Sequence, residues 1–102
     1  QDQKCLAEVE ISQNLVSISG EGSGPIEAFV NAMVETLNEP ISVRGYHEHA
    51  LGKGSDASAI CVLAIDGVDS GASCYGIGIS RNTITASLNA IISALNRKWA
   101  QQ

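Results

Sequence analysis

Aromatic residues are scarce in this chain, at 4% of 102 residues, and proline occurs only twice. The bulky rings that usually anchor interiors are therefore missing, and any core must be aliphatic and small-residue in character. Basic charge is also short: six Lys and Arg stand against eleven Asp and Glu, leaving a net charge of −5. The cations are scattered, so no basic stripe exists to neutralise phosphates, which argues against a nucleic-acid partner. The same shortage disfavours an anionic membrane surface. No apolar run approaches the roughly 20 residues that span a bilayer, and no charged segment followed by an apolar one opens the chain. Cys5, Cys61 and Cys74 form no CxxC pair and leave one thiol over. A reduced, cytoplasmic protein with ordinary buried thiols is the expectation.

What is present supports a folded domain. Hydrophobic residues make up 44% of the sequence, enough for a real core over residues 1–102. The chain opens on Gln1 without a methionine, and is expected to be a piece of something longer. Periodicity predicts strands at about 4–11 and 14–20, a helix at 25–38, strands at 41–50, 57–66 and 71–79, and a helix at 83–98. Ala7, Val9 and Ile11 alternate with Glu8 and Glu10, as a half-buried strand requires. The stretch 57–66 is apolar on both faces, which predicts a central strand. Gly24 and Pro25 punctuate the first helix start, with Glu27 in its first turn, and Pro40 follows its end.

The two helical stripes coincide. A shift of 58 residues carries Ile26, Val30, Met33 and Leu37 onto Ile84, Leu88, Ile91 and Leu95. It also pairs Gly20 with Gly78, Ala28 with Ala86, Asn31 with Asn89 and Ala32 with Ala90. Each matched segment follows two strands. The expected fold is therefore α+β, a pseudo-twofold duplication of a strand–strand(–strand)–helix unit with helices packed on β-sheets. Repeat 1 is expected over about 4–50 and repeat 2 over about 57–98.

Chemistry-bearing patterns are few. Gly20-Glu21-Gly22-Ser23-Gly24-Pro25 lies between a strand and a helix start, where free N–H groups and the helix dipole suit a carboxylate or phosphate. A tight turn needing glycine explains the same residues. It is neither a P-loop nor a dinucleotide fingerprint. Tyr46-His47-Glu48-His49-Ala50 is a polar strand end with His47 and His49 on one face. A metal site would need a third ligand, and neither Cys61, Cys74 nor Asp56 stands at a supporting spacing. No nucleophile lies in a recognisable elbow, so neither catalytic nor metal-ligating residues, nor a cofactor, are expected. The loop Gly52-Lys53-Gly54-Ser55-Asp56-Ala57 leads into the central strand, with Asp56 available for an ammonium group.

Taken in order, several segments resemble a known family. These are Gly22-Ser23-Gly24-Pro25-Ile26-Glu27-Ala28, Tyr46-His47-Glu48-His49-Ala50-Leu51, Gly54-Ser55-Asp56-Ala57, Gly76-Ile77-Gly78-Ile79 and Thr85-Ala86-Ser87-Leu88-Asn89-Ala90. Together they are similar to the C-terminal regulatory domain of 2-isopropylmalate synthases, over roughly residues 5–98. The resemblance implies a domain that binds leucine, forms a homodimer, and passes feedback inhibition to a separate catalytic (β/α)8 barrel. That barrel, an acyltransferase condensing acetyl-CoA with 2-oxoisovalerate using a divalent metal, is not in this sequence. Carried over by position, the effector pocket would be lined by Gly22, Gly24, Glu27, Val43, Tyr46, Ala50, Ala57 and Ile79, with Ser23 and Asp56 beside it. Ser23 stands where the family often has Asn, and Gly45 where it often has Asp. An isoleucine-sensing domain of citramalate synthase and a purely structural dimerisation module are the alternatives. A cytoplasmic location, with no nucleic acid and no membrane, completes the expectation.

Overall fold

The structure is a computed structural model that describes residues 3–11, 13–52, 54, 57–66 and 73–100. It is α+β, in the order β1 (Gln3–Ile11), β2 (Asn14–Gly22), α1 (Pro25–Leu37), β3 (Ser42–Leu51), β4 (Ser58–Asp66), β5 (Ser73–Ser80) and α2 (Thr83–Ala100). The chain divides into two compact units, Gln1–Pro40 and Ile41–Gln102.

In the first unit β1 and β2 form an antiparallel ribbon in continuous register from Gln3–Gly22 to Ile11–Asn14. The predicted alternation is observed: Ala7, Val9 and Ile11 are half-buried while Glu8 and Glu10 are exposed. Helix α1 packs on this ribbon. Its cap, Gly24, is extended at φ −154°, and Pro25 takes the first helical position, where its missing N–H costs nothing. The helix ends at Asn38, a left-handed cap at φ 55°, a conformation in which asparagine is tolerated.

The second unit has a three-stranded antiparallel sheet in the order β3-β4-β5, with α2 packed on β5 and β4. The doubly apolar strand β4 is central, as its composition predicts. Strand β3, expected with the first repeat from its place in the sequence, hydrogen-bonds to β4 instead. Its register slips between Arg44 and His47. The slip centres on Gly45, at φ +59°. Only glycine, or less comfortably Asp or Asn, accepts that backbone.

Met33, Ile91 and Leu95 of the expected stripes are buried, while the rest of each buried face is made by other residues. In α1 the buried residues are Ala28, Phe29, Ala32 and Met33, with Ile26, Val30 and Leu37 only half-buried. In α2 they are Ala86, Ser87, Ala90, Ile91, Ala94 and Leu95, while Ile84 remains 46% exposed. The cause is close approach of helix to strand. A Cβ on Gly20 would lie 2.5 Å from the Ala28 carbonyl oxygen and 2.6 Å from the Ala32 nitrogen. A Cβ on Gly78 would meet the Ala86 oxygen and the Ala90 nitrogen, the same two positions 58 residues on. Glycine on the strand and alanine on the helix let the two backbones nearly touch, and Ile26 and Ile84, one position along the repeat, stay at the flanks. The repeat thus resides in this Gly–Ala contact, present in both β-β-α segments.

Candidate functional site

The expected effector residues fall in both units, and each unit shapes its own share. In the first, Gly22 is buried against α1, where a Cβ would lie 2.7 Å from the Ala28 nitrogen. Gly24 is open, with nothing within 4 Å of an added Cβ. Between them Ser23 is already partnered. Its N–H donates to Glu27 Oε1 at 3.0 Å and its hydroxyl to Glu27 Oε2 at 3.2 Å. The acid, in the third helical position, thus reaches back to the residue before the Gly24 cap, which has no side-chain cap bond of its own. The consequence is electrostatic: the helix start that suits an anion by dipole holds the Glu27 carboxylate. A second carboxylate there would meet like charge.

In the second unit a pocket of about 240 Å³ opens at the end of the sheet beside the start of α2. Ala50 of β3, Ala57 just before β4, and Ser58 and Ala59 on β4 form part of its lining. Glu48 and His49 of β3, with Arg81 and Thr83 at the β5–α2 junction, complete it. The pairing of Ala50 with Ala59 and of Ala59 with Ser80 brings these segments together. Two small side chains of the expected set, Ala50 and Ala57, therefore share one cavity.

The other expected residues of this unit lie elsewhere. Val43 sits opposite Ile65, seven residues back along β3 from Ala50 and so on the order of 20 Å away. Ile79 pairs with Ile60 and points away from α2, 56% exposed. Asp56 lies outside the described residues. Tyr46 does not line the pocket; it clamps one wall of it. Its hydroxyl lies 2.7 Å from Ser87 Oγ on α2 and donates to Glu48 Oε2 at 3.0 Å. Ser87 Oγ also lies 3.1 Å from the Thr83 carbonyl oxygen, an alternative acceptor for its single proton. Burial is the main reason the Tyr46 hydroxyl titrates above its usual range, with Glu48 adding to the effect and Ser87 opposing it.

The two helix starts therefore differ in charge. Helix α2 is capped by Asn82, whose Oδ1 accepts from the Thr85 N–H at 3.0 Å, and its first turn carries no acid. Arg81 stands immediately before that cap. Among the described residues no group of three His, Cys, Asp or Glu is placed to hold a metal ion. His47 and His49 lie opposite Val62 and Ile60.

Residues 1–99 match the family described as the LeuA allosteric (dimerisation) domain. The chain belongs to this family. It is 45% identical over 94 residues to a 2-isopropylmalate synthase of Brucella suis, covering 90% of this chain and 17% of that protein. A 2-isopropylmalate synthase of Paraburkholderia phytofirmans is 39% identical over 84 residues, 82% of this chain and 14% of the relative. One from Clostridium acetobutylicum is 42% identical over 91 residues, 89% of this chain and 16% of the relative. The chain thus spans about one-sixth of the length of these relatives. It corresponds to the regulatory domain of such synthases, as the ordered motifs imply.

Within this regulatory domain the pocket includes Glu48, Arg81 and Thr83, none of them among the expected effector residues. A signal for Arg81 was available: a cation directly before an Asn cap, ahead of a helix turn without acid. Glu48 carries no such local mark, because only the pairing of β3 with β4 brings it beside α2.

Proposed function

We propose that this domain binds leucine and conveys feedback inhibition to the catalytic domain of a 2-isopropylmalate synthase, as a cytoplasmic homodimer. The catalytic domain would be the acyltransferase that joins acetyl-CoA to 2-oxoisovalerate. The domain itself would perform no catalysis and need no cofactor. The observation that carries the reading is the alanine-lined pocket of the second unit, joined to the family's description as allosteric. At about 240 Å³ it is smaller than the roughly 300–1,000 Å³ of drug-sized sites, a size suited to one small metabolite. Ala50, Ala57 and Ala59 leave room for a branched side chain, whose burial contributes about 1.5–3 kcal/mol. Of the expected effector residues, Ala50 and Ala57 are proposed to line this pocket.

Calorimetric titration of the chain with leucine, isoleucine and valine tests the proposal. Leucine should bind with 1:1 stoichiometry per chain and more tightly than its isomer. Pocket shape separates such isomers by about 1–3 kcal/mol, so tighter binding of isoleucine would transfer the assignment to the citramalate synthase class. A folded chain that binds none of the three would leave only a dimerisation role.

A further inference from the structure

The sheet of the second unit carries two histidines on the face that α2 leaves uncovered. Tyr46 on β3 reaches α2 through Ser87, and Glu48 is bonded to Tyr46. Successive side chains of a strand point to opposite faces, so His47 and His49 stand on the other side. There His47 lies opposite Val62 and Val62 opposite Ile77, while His49 lies opposite Ile60 and Ile60 opposite Ile79. Directly opposed residues share a face. Each imidazole therefore ends a row whose other two members are aliphatic, and both rings are exposed in the single chain. The charged groups around them offer little to an imidazolium. On this face β4 contributes the Asp66 carboxylate, already bonded by Arg44 of β3, and β5 contributes only the Tyr75 hydroxyl among its described side chains. Glu48 and Arg81 border His49 at the pocket, but the Glu48 carboxylate accepts from Tyr46 on the α2 side.

The size of the face decides what happens to these rings in a pair of chains. A stable pair buries about 800 Å² on each partner. Three strands about 4.8 Å apart and about nine residues long offer roughly 400 Å² in projection. A contact of standard size on this sheet therefore takes in the whole face, β3 included. A second copy seated there covers His47 and His49 along with Ile60, Val62, Ile77 and Ile79. An imidazolium moved from water into such a contact, without a carboxylate to answer it, is strongly penalised, whereas the neutral ring is not. Resting on the homodimer proposed above, we infer that His47 and His49 make self-association of this chain pH-dependent. The pair forms with neutral imidazoles and comes apart when they are protonated. Protonated chains must release protons in order to associate, so association strengthens as pH rises and levels off once the free rings are neutral. A histidine side chain in water titrates near pH 6.5. Between about pH 7.5 and about pH 5.5, each ring that must be neutral therefore weakens association about tenfold. Two rings on each chain bring the loss to the order of 100-fold or more.

The test is sedimentation velocity of the unaltered chain at about pH 7.5 and about pH 5.5, with circular dichroism at each pH to follow the fold. The dissociation constant of the pair should rise on the order of 100-fold or more at the lower pH, while the chain stays folded. A double variant, His47→Gln with His49→Gln, carries no imidazole on this face and should give the same dissociation constant at both pH values. A packing effect of the two substitutions shifts that constant equally at both, so the comparison within the variant is unaffected by it. A dissociation constant of the unaltered chain that does not change with pH overturns the inference. A double variant that keeps the full pH dependence overturns it as well, because another group is then responsible. Unfolding of both proteins at the lower pH has the same force, since dissociation would then follow loss of the fold. An unaltered chain that is folded and monomeric at the higher pH overturns the homodimer itself, and this inference with it.

Discussion

At the scale of single residues, glycines of the same type perform different work, and their substitutions should separate accordingly. Gly78 faces the Ala86 carbonyl oxygen and the Ala90 nitrogen, both backbone atoms of α2 that cannot rotate aside. Gly78→Ala should therefore force the helix off the sheet and cost about 2–3 kcal/mol, at the upper part of the range for overpacking. Gly24→Ser meets open space and adds a side-chain cap where none exists. It should shift stability by only a few tenths of a kcal/mol, in the stabilising direction. Urea denaturation of the two variants checks both, and equal losses would refute the close-approach account. Tyr46 supplies a pH signature. Burial, more than its partners, raises its folded-state pKa above the usual value near 10. Below that value the ring is protonated in both states and contributes no pH dependence. As pH rises past the unfolded value towards the folded one, the unfolded chain releases a proton that the folded chain retains, so stability falls. Tyr46→Phe should flatten that alkaline decline, measured by denaturation midpoints at about pH 8 and about pH 11. An undiminished decline in the variant would show that another group is responsible.

At the scale of elements, every strand and helix was legible in the sequence to within a few residues, because punctuation and period agree. Gly24-Pro25 and Asn38-Pro40 bracket α1, and the Ala7-Val9-Ile11 alternation marks β1. The faces the helices bury were less legible. Hydrophobic periodicity gives most weight to large aliphatics such as Ile26 and Ile84, whereas the contact is made by Ala28, Ala32, Ala86 and Ala90. Those alanines matter only because Gly20 and Gly78 lie opposite, a cross-element fact that no local pattern contains. Pairing was hidden for the same reason. Strand β3 follows α1 in sequence yet hydrogen-bonds to β4, and this pairing places Glu48 near α2. In the candidate pocket Ala50 and Ala57 were foreseeable from motif position, while Arg81 and Thr83 required the fold. Glu27 stands in the first turn of α1, where its charge complements the dipole as the sequence implies. It is also the occupant of that position. The slip in β3 yields a prediction at this scale. Gly45 at φ +59° makes Gly45→Ala cost about 1–2 kcal/mol, and Gly45→Asn or Gly45→Asp less, since short polar side chains tolerate this backbone. Denaturation of the three variants should follow that order, and equal losses would show that the slip relaxes without strain.

At the scale of the whole molecule, the second sheet has one face covered by α2 and one that is not. Tyr75, Ile77 and Ile79 alternate with the buried Cys74, Gly76 and Gly78, and are 62%, 52% and 56% exposed. Val62 and Ile60 lie opposite Ile77 and Ile79, so the apolar surface continues onto β4. A contiguous apolar patch of this kind is uncommon on an isolated chain and marks an association surface. With the family's description as a dimerisation domain, the proposed occupant is a second copy. A symmetric pair would set the same patch against itself, as twofold interfaces do. Ile77 is the natural probe: it is central in the row, and its side chain contributes to no described helix contact. Ile77→Asp should leave the fold and its thermal transition within about 0.5 kcal/mol, as exposed substitutions do. It should also place two carboxylates across the twofold in an apolar setting, where desolvation and like charge oppose association. Sedimentation velocity should then show the unaltered chain as a dimer and the variant as a monomer at the same concentration. A variant that remains dimeric would move the interface to another face. If the variant is a folded monomer, its leucine titration decides whether the pocket is complete within one chain, since Glu48, Ala50, Ala57 and Arg81 all belong to the second unit of a single copy. Retained affinity would separate sensing from assembly, and lost affinity would make dimerisation a condition of binding.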